Sequence, residues 1–187
     1  MSPLLIFLLV LAVVVIWGII KYNTFIKLRN KRENAFADID VQLKQRHDLI
    51  PQLVATVKGY AAHERETFER IVNARAGAMN ARTIEEKIVA ENELSSALAG
   101  FKLTVEAYPD LKANTNFMQL QEEISDIENK LSAVRRFFNS ATKEYNTAIE
   151  MFPAKIIAGM CGFKREMMFD LGTTERKNLE QAPTISF

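Results

Sequence analysis

Cysteine is almost missing from this chain: Cys161 stands alone among 187 residues, which excludes an intrachain disulfide and a Cys-pair metal site. Histidine is nearly as scarce. His47 and His63 are the two present, neither falls in H-E-x-x-H, and no E-x-x-H occurs, so the zinc-protease and di-iron ligand sets are both lacking. No cofactor and no metal is therefore expected. Seven Gly and five Pro are too few for a loop-rich or all-β chain and suit long helices. Nor is one sign of charge in excess: 24 Lys and Arg face 23 Asp and Glu, and no basic stripe interleaves with aromatics, so nucleic acid is not an expected partner.

One long hydrophobic run is present. "LLIFLLVLAVVVIWGII", Leu4 to Ile20, carries no charge, and fourteen of its residues are Leu, Ile, Val or Phe. As a helix it spans about 26 Å at about 1.5 Å per residue, close to a ~30 Å hydrocarbon core. At roughly −0.3 to −0.6 kcal/mol for each such residue, insertion is favoured. A cleaved signal peptide would need a basic leader and a small-x-small site, and neither "MSP" nor "WGIIKYN" supplies one. The run is thus expected to be a transmembrane anchor (residues 4–20), with Trp17 and Tyr22 as interfacial anchors. A basic juxtamembrane segment (21–35) follows with Lys21, Lys27, Arg29, Lys31 and Arg32. By the positive-inside rule it places the N-terminus outside and the larger domain in the cytoplasm. The same cations could attract anionic lipid.

Beyond residue 35 the apolar positions step by three and four. Phe36, Ile39 and Leu43, then Ile50, Val54, Val57, Ala61, Phe68, Ile71 and Val72 keep one phase across Pro51, which predicts one kinked helix or two nearly coaxial ones. Thr83 with Glu86 forms a capping box for a helix carrying Ile84, Ile88, Leu98, Phe101, Val105 and Tyr108, and Pro109 stops it. "PDLKANTN" is a turn-rich connection whose Asn and Thr residues can cap the next helix. That helix repeats every 3.5 residues through Leu120, Ile124, Ile127, Leu131, Val134, Phe138, Ala141, Tyr145, Ala148 and Phe152, with "QEE", "ENK" and "RR" as solvated faces, until Pro153 ends it. A shorter apolar segment sets Ile156, Met160, Phe163 and Met167 at helical spacing, with Cys161 as a buried small hydrophobe. The expected fold is all-α: a single transmembrane helix, then an antiparallel bundle over 36–170 with three long helices and a shorter C-terminal one. The tail (171–187) ends in "PTISF", which could dock as an extended segment or stay disordered.

Two features could carry function. Pro51 either shapes the bundle or marks a partner contact, and the block Tyr108, Pro109, Asp110 and Lys112 sits in a loop, where function concentrates. For an enzyme the best residues would be His63 with Glu64, or Glu91 and Glu93. His63 and Glu64 diverge by about 100° on a helix, and Glu residues on helix surfaces are usually solvated.

The blocks "DVQLKQRHDLIPQLVATVKGYAAHE", "ENELSSALAGF", "EAYPDLKANTNFMQLQEEISDIENKLSAVRRFFNSATKEYN" and "FPAKIIA", in this order behind an apolar span, resemble the LemA family over nearly the whole chain. The resemblance implies a single-pass bacterial membrane protein with an antiparallel helical bundle, and the expected location is the inner membrane. It implies no established enzymatic activity, catalytic residue or cofactor. Together these readings point to a non-enzymatic scaffold or adaptor of the cell envelope. Its expected partners are the lipid bilayer, other copies of itself, and a membrane or cytoplasmic protein. The alternative is a membrane-shaping protein acting through anchor, basic collar and oligomerised bundle.

Overall fold

The computed structural model describes residues 2–60 and 64–169; His63 and the C-terminal tail lie outside them. Among the described residues there are six helices and no strand: α1 (Pro3–Lys58), α2 (Arg65–Asn80), α3 (Ile84–Val105), α4 (Pro109–Lys112), α5 (Thr115–Glu150) and α6 (Ala154–Met160). The all-α expectation holds. The three long helices are α1, α3 and α5, and the shorter C-terminal one is α6. Helix α1 begins at Pro3, where a missing amide is no loss, and runs through 56 residues. The chain divides into two compact units: residues up to Ala37 with Arg136–Met168, and Asp38–Arg135 with the segment that begins at Phe169.

In the first unit α5 runs antiparallel to α1. Lys31 Nζ meets Glu144 Oε2 at 2.6 Å, and Phe36 sets its ring edge-on to Phe138, centroids 5.5 Å apart. Phe25, Tyr145, Ile149, Ala154 and Ala158 form the core nearer the apolar span. Helix α6 closes in a Schellman-type turn: Phe163 N donates to Ala158 O at 2.9 Å, with Gly162 in the left-handed region at φ 75°. Residues 163–169 then leave helical geometry. They are held by side chains instead: Asn146 Nδ2 donates to Glu166 O at 2.9 Å, Glu166 N donates to Asn146 Oδ1 at 2.8 Å, and Tyr145 Oη donates to Lys164 O at 3.1 Å. Asn146 thus pairs with that stretch as a neighbouring strand would.

This corrects three expectations. Cys161 is exposed, because it occupies the cap position of that turn. Ile156 and Met160 are exposed too, since α6 buries the small residues Ala154 and Ala158. Phe152 falls outside α5, which ends at Glu150, and Ile149 fills the core position in its place.

In the second unit the expected helix through residue 72 is two helices. α1 continues through Pro51 but stops at Lys58, with Gly59 and Tyr60 in a turn. α2 then runs back along α1, since Arg75 Nε reaches His47 O at 2.7 Å. α3 returns parallel to α1, pairing Lys87 with Asp40 and Glu91 with Arg46. α5 is antiparallel again, with Asn114, its cap, bonded to Tyr60 and Glu128 bonded to Arg46. The result is an up-down-up-down packing around Ile50, Leu53, Val57, Phe68, Ile71, Leu94 and Phe101.

The predicted caps are both formed. Glu86 N donates to Thr83 Oγ1 at 3.1 Å while Thr83 N donates to Glu86 Oε2 at 3.2 Å. The amides of Arg82 and Thr83 hold the Glu86 carboxyl below its ordinary range. Phe117 N donates to Asn114 Oδ1 at 3.0 Å at the start of α5.

Candidate functional site

The polar centre of the second unit is built on one turn of α1. Arg46 is completely buried. Its Nη2 pairs with Glu91 Oε2 from α3, and its Nη1 donates to Glu128 Oε1 of α5 at 2.6 Å and to Ser95 Oγ of α3 at 3.1 Å. The neighbouring His47 donates from Nε2 to the other Glu91 oxygen, Oε1, at 2.6 Å. One guanidinium therefore ties three helices together. Its rigid fork of donors suits that task in a way a lysine would not.

Glu91 is 1% exposed, so burial pushes its carboxyl up, but the His47 and Arg46 bonds and charges outweigh burial and hold it below its usual range. It is an anion with both oxygens occupied. Such a group is poorly suited to donate or accept a proton in catalysis. Its folded-state depression has a consequence for stability. A carboxyl lowered on folding contributes stability above its unfolded value, near 4.5, and loses it as pH falls through the lower folded value. The stability gap between the wild type and Glu91→Gln should accordingly be constant above about pH 6 and shrink steadily below 4.5 in acid-titrated urea melts.

This overturns two sequence expectations. Glu91 does not face solvent as a helix-surface glutamate, and Glu128, within the "ENK" stretch, is bonded to Arg46. Glu93 is exposed as expected. Glu64 accepts a hydrogen bond from Tyr108 Oη at 3.1 Å, while His63 lies outside the described residues. No group of three or more His, Cys, Asp or Glu is placed to hold a metal among the described residues.

Pro51 sits on the exposed side of α1. Having no N–H, it leaves the carbonyl four residues back, His47 O, without its helical donor. Arg75 Nε of α2 takes that place at 2.7 Å. The vacancy created by proline thus becomes a joint between two helices. In Arg75→Met the carbonyl loses its donor, with an expected cost of about 1–2 kcal/mol. In the Pro51→Ala background, where an amide is restored, the same change should cost measurably less. A double-mutant cycle by urea unfolding reads the difference.

The Tyr108 block lies elsewhere in this unit. Pro109 opens the single-turn helix α4, Leu111 is buried, and Pro109, Asp110 and Lys112 are exposed. Tyr108 Oη bonds Glu64, and Asn114 Nδ2 donates to Tyr60 Oη at 2.9 Å, so this loop clasps the α1–α2 turn. Among the described residues no hydrogen bond or ion pair joins it to Pro51.

Between α3 and α5 lies a groove of about 880 Å³. It is lined by the apolar Leu98, Phe101, Phe117, Met118 and Ile124 together with Lys102, Glu122, Asp126 and Glu128, the last of them bonded to Arg46. Ser95 and Glu128, the Arg46 partners, also line it. No sequence pattern announces this hollow, because it depends on how two stripes diverge rather than on either stripe alone.

The first unit adds a different feature. The 18-residue apolar window within α1 has a mean hydropathy of 3.1 and none of it is buried in the protein. A core helix would be covered. This one is bare and continues without interruption into a packed helix.

A closed ionic centre in an up-down bundle, and a bare apolar span on its first helix, define a membrane-associated all-helical protein. The sequence profile of the LemA family matches residues 35–187, and the chain belongs to that family. It is similar to Protein LemA of Metamycoplasma hominis, 24% identical over 159 residues that cover 84% of this chain and 73% of the relative. It is also similar to magnetosome protein MamQ of Magnetospirillum gryphiswaldense (23% identical) and to magnetosome protein MamQ 2 of Paramagnetospirillum magneticum (22%). Those two matches cover 81% of this chain but just under two thirds, 65%, of each relative.

Proposed function

We propose that this protein is a non-enzymatic scaffold of the bacterial cell envelope, held in the inner membrane by residues 4–20 with its bundle on the cytoplasmic side, and that it works by self-association. Support for the lack of chemistry comes from the Arg46–Glu91–His47 centre, whose oxygens are all engaged within the bundle. The orientation rests on Lys21, Lys27, Arg29, Lys31 and Arg32, which follow the span. Relatives named as magnetosome proteins are consistent with a role at a membrane.

The observation that carries self-association is a pair of exposed apolar surfaces within the second unit. The α3–α5 groove is largely apolar, with Glu122 and Asp126 among its lining residues. The outer face of α2 presents the exposed Val72, Ala76 and Met79 at helical spacing. We assign the groove of one copy to the α2 face of the next. Groove and face are different surfaces, so the contact is head-to-tail and propagates into rings or filaments rather than stopping at a dimer.

Cysteine crosslinking in membranes tests this, with Cys161→Ser removing the native thiol. Val72→Cys and Met118→Cys combined in one chain should give a ladder of dimers, trimers and larger species, while either alone should give none. A full chain that stays monomeric at all concentrations contradicts the reading.

For the membrane-shaping alternative, two of the five collar cations are engaged within the protein by residues beyond the collar. Arg32 is buried, its Nη2 lies 3.2 Å from Glu166 Oε2, and its guanidinium stacks 5.0 Å above the Phe138 ring. Lys31 is paired with Glu144. Part of the basic collar is therefore spent on holding the first unit together.

A further inference from the structure

The anchor is not the whole membrane contact. We infer that the α5–α6 corner, residues 151–160, lies in the membrane–water interface beside the apolar span, with Phe152, Ile156 and Met160 immersed among lipid headgroups and upper acyl chains.

Gly18 is in the last turn of the apolar span, about 3 Å short of its end at Ile20. A Cβ at Gly18 would stand 3.8 Å from Ile157 Cδ1, so α6 packs directly on that turn. Farther along α1, Tyr22 and Phe25 both meet the Phe163 ring edge-on, at 5.6 and 5.2 Å between centroids. Because α5 runs antiparallel to α1, its C-terminal end points toward the span. Whatever depth Gly18 takes in the bilayer, the corner shares it to within a turn or so.

The side chains agree. Phe152 is 84% exposed, Met160 83% and Ile156 57%, a density of bare apolar groups that an aqueous surface does not favour. They cluster at the end of the unit where the span stands, and the exposed Lys155 lies among them. Large apolar groups with a lysine beside them at the level of the headgroups are the composition of an interfacial element. Lipid is the occupant argued for, because the surface is continuous with a span that already requires lipid. The inference stands on the anchor and on the first unit, not on self-association of the second.

Tryptophan quenching in proteoliposomes made with brominated phospholipid tests it on the full chain. Trp17 is the sole tryptophan, so the wild type reports the anchor itself. In a Trp17→Phe background, Phe152→Trp should emit to the blue and be quenched by lipid brominated high on the acyl chain. Ser140→Trp, exposed on α5 about three turns earlier, should be neither. Quenching of Trp17 with a red, unquenched Phe152→Trp overturns the inference while leaving the anchor standing. A blue but unquenched Phe152→Trp overturns it as well, since protein from a second copy would then cover the corner. Failure of quenching at both positions removes anchor and inference together.

Discussion

Replacing Arg46 by alanine is expected to destabilise the bundle by about 3–5 kcal/mol, because it strands the Glu91 carboxylate inside the protein with only His47 beside it. Few surface changes cost more than half a kcal/mol, so the contrast is large. The effect belongs to the broken pair rather than to the value of the pair. Replacing both partners by apolar residues of similar size, Arg46→Met with Glu91→Leu, should recover most of the loss, since desolvation of two charges offsets much of their attraction. Urea unfolding of the full chain in detergent reads both variants. If the double variant is as unstable as the single one, Glu128 and Ser95 carry more of the joint than the Arg46–Glu91 contact does. If Arg46→Ala is neutral, the ionic centre is not what ties the three helices.

Phe138→Ala should cost about 3–5 kcal/mol in the first unit. The ring is fully buried, stands edge-on to Phe36, and lies under the Arg32 guanidinium. Truncation removes the partner of Phe36 and also bares a buried cation on one side. Its chain neighbour Phe137 is more than half exposed, so Phe137→Ala should stay within about 0.5 kcal/mol. Phe138→Leu, which keeps most of the volume, should cost under about 1.5 kcal/mol. Thermal melts of the three variants under one detergent condition decide the order. Equal losses at 137 and 138 would mean that α5 does not present the face described here.

That face was legible in the amino-acid pattern. Ile127, Leu131, Phe138, Ala141 and Tyr145 recur at steps of three, four and seven, and all are buried, because a helix with one covered side must repeat that way. The same rule failed where the helix itself stopped. Phe152 continues the count but lies beyond Glu150, so the count no longer describes a face. Around residue 58 the pattern misled in another way. Val57 and Phe68 keep helical phase, yet they belong to two antiparallel helices that turn toward one core. Both halves of a hairpin bury a stripe, and the phase across the turn matches by chance. Gly59 was the available signal, an uncommon residue in this chain at the point where the helix ends.

The ionic centre was invisible for a different reason. Arg46 and Glu91 are forty-five residues apart, and periodicity carries no information about charges that meet only after three helices pack. Pro51 stands out in the sequence, but its meaning depends on Arg75, a residue that no local pattern connects to it. The exposed corner at Phe152 and Ile156 was likewise hidden. Those residues looked like core because core and lipid interface draw on the same apolar alphabet.

Alkaline carbonate extraction of membranes carrying the full chain is the most direct check on the central claim, that the bare first part of α1 is embedded in lipid while the remainder packs as helices. The chain should remain with the sedimented bilayer, and a variant without residues 4–20 should pass into the wash. Release of the intact chain would contradict the account.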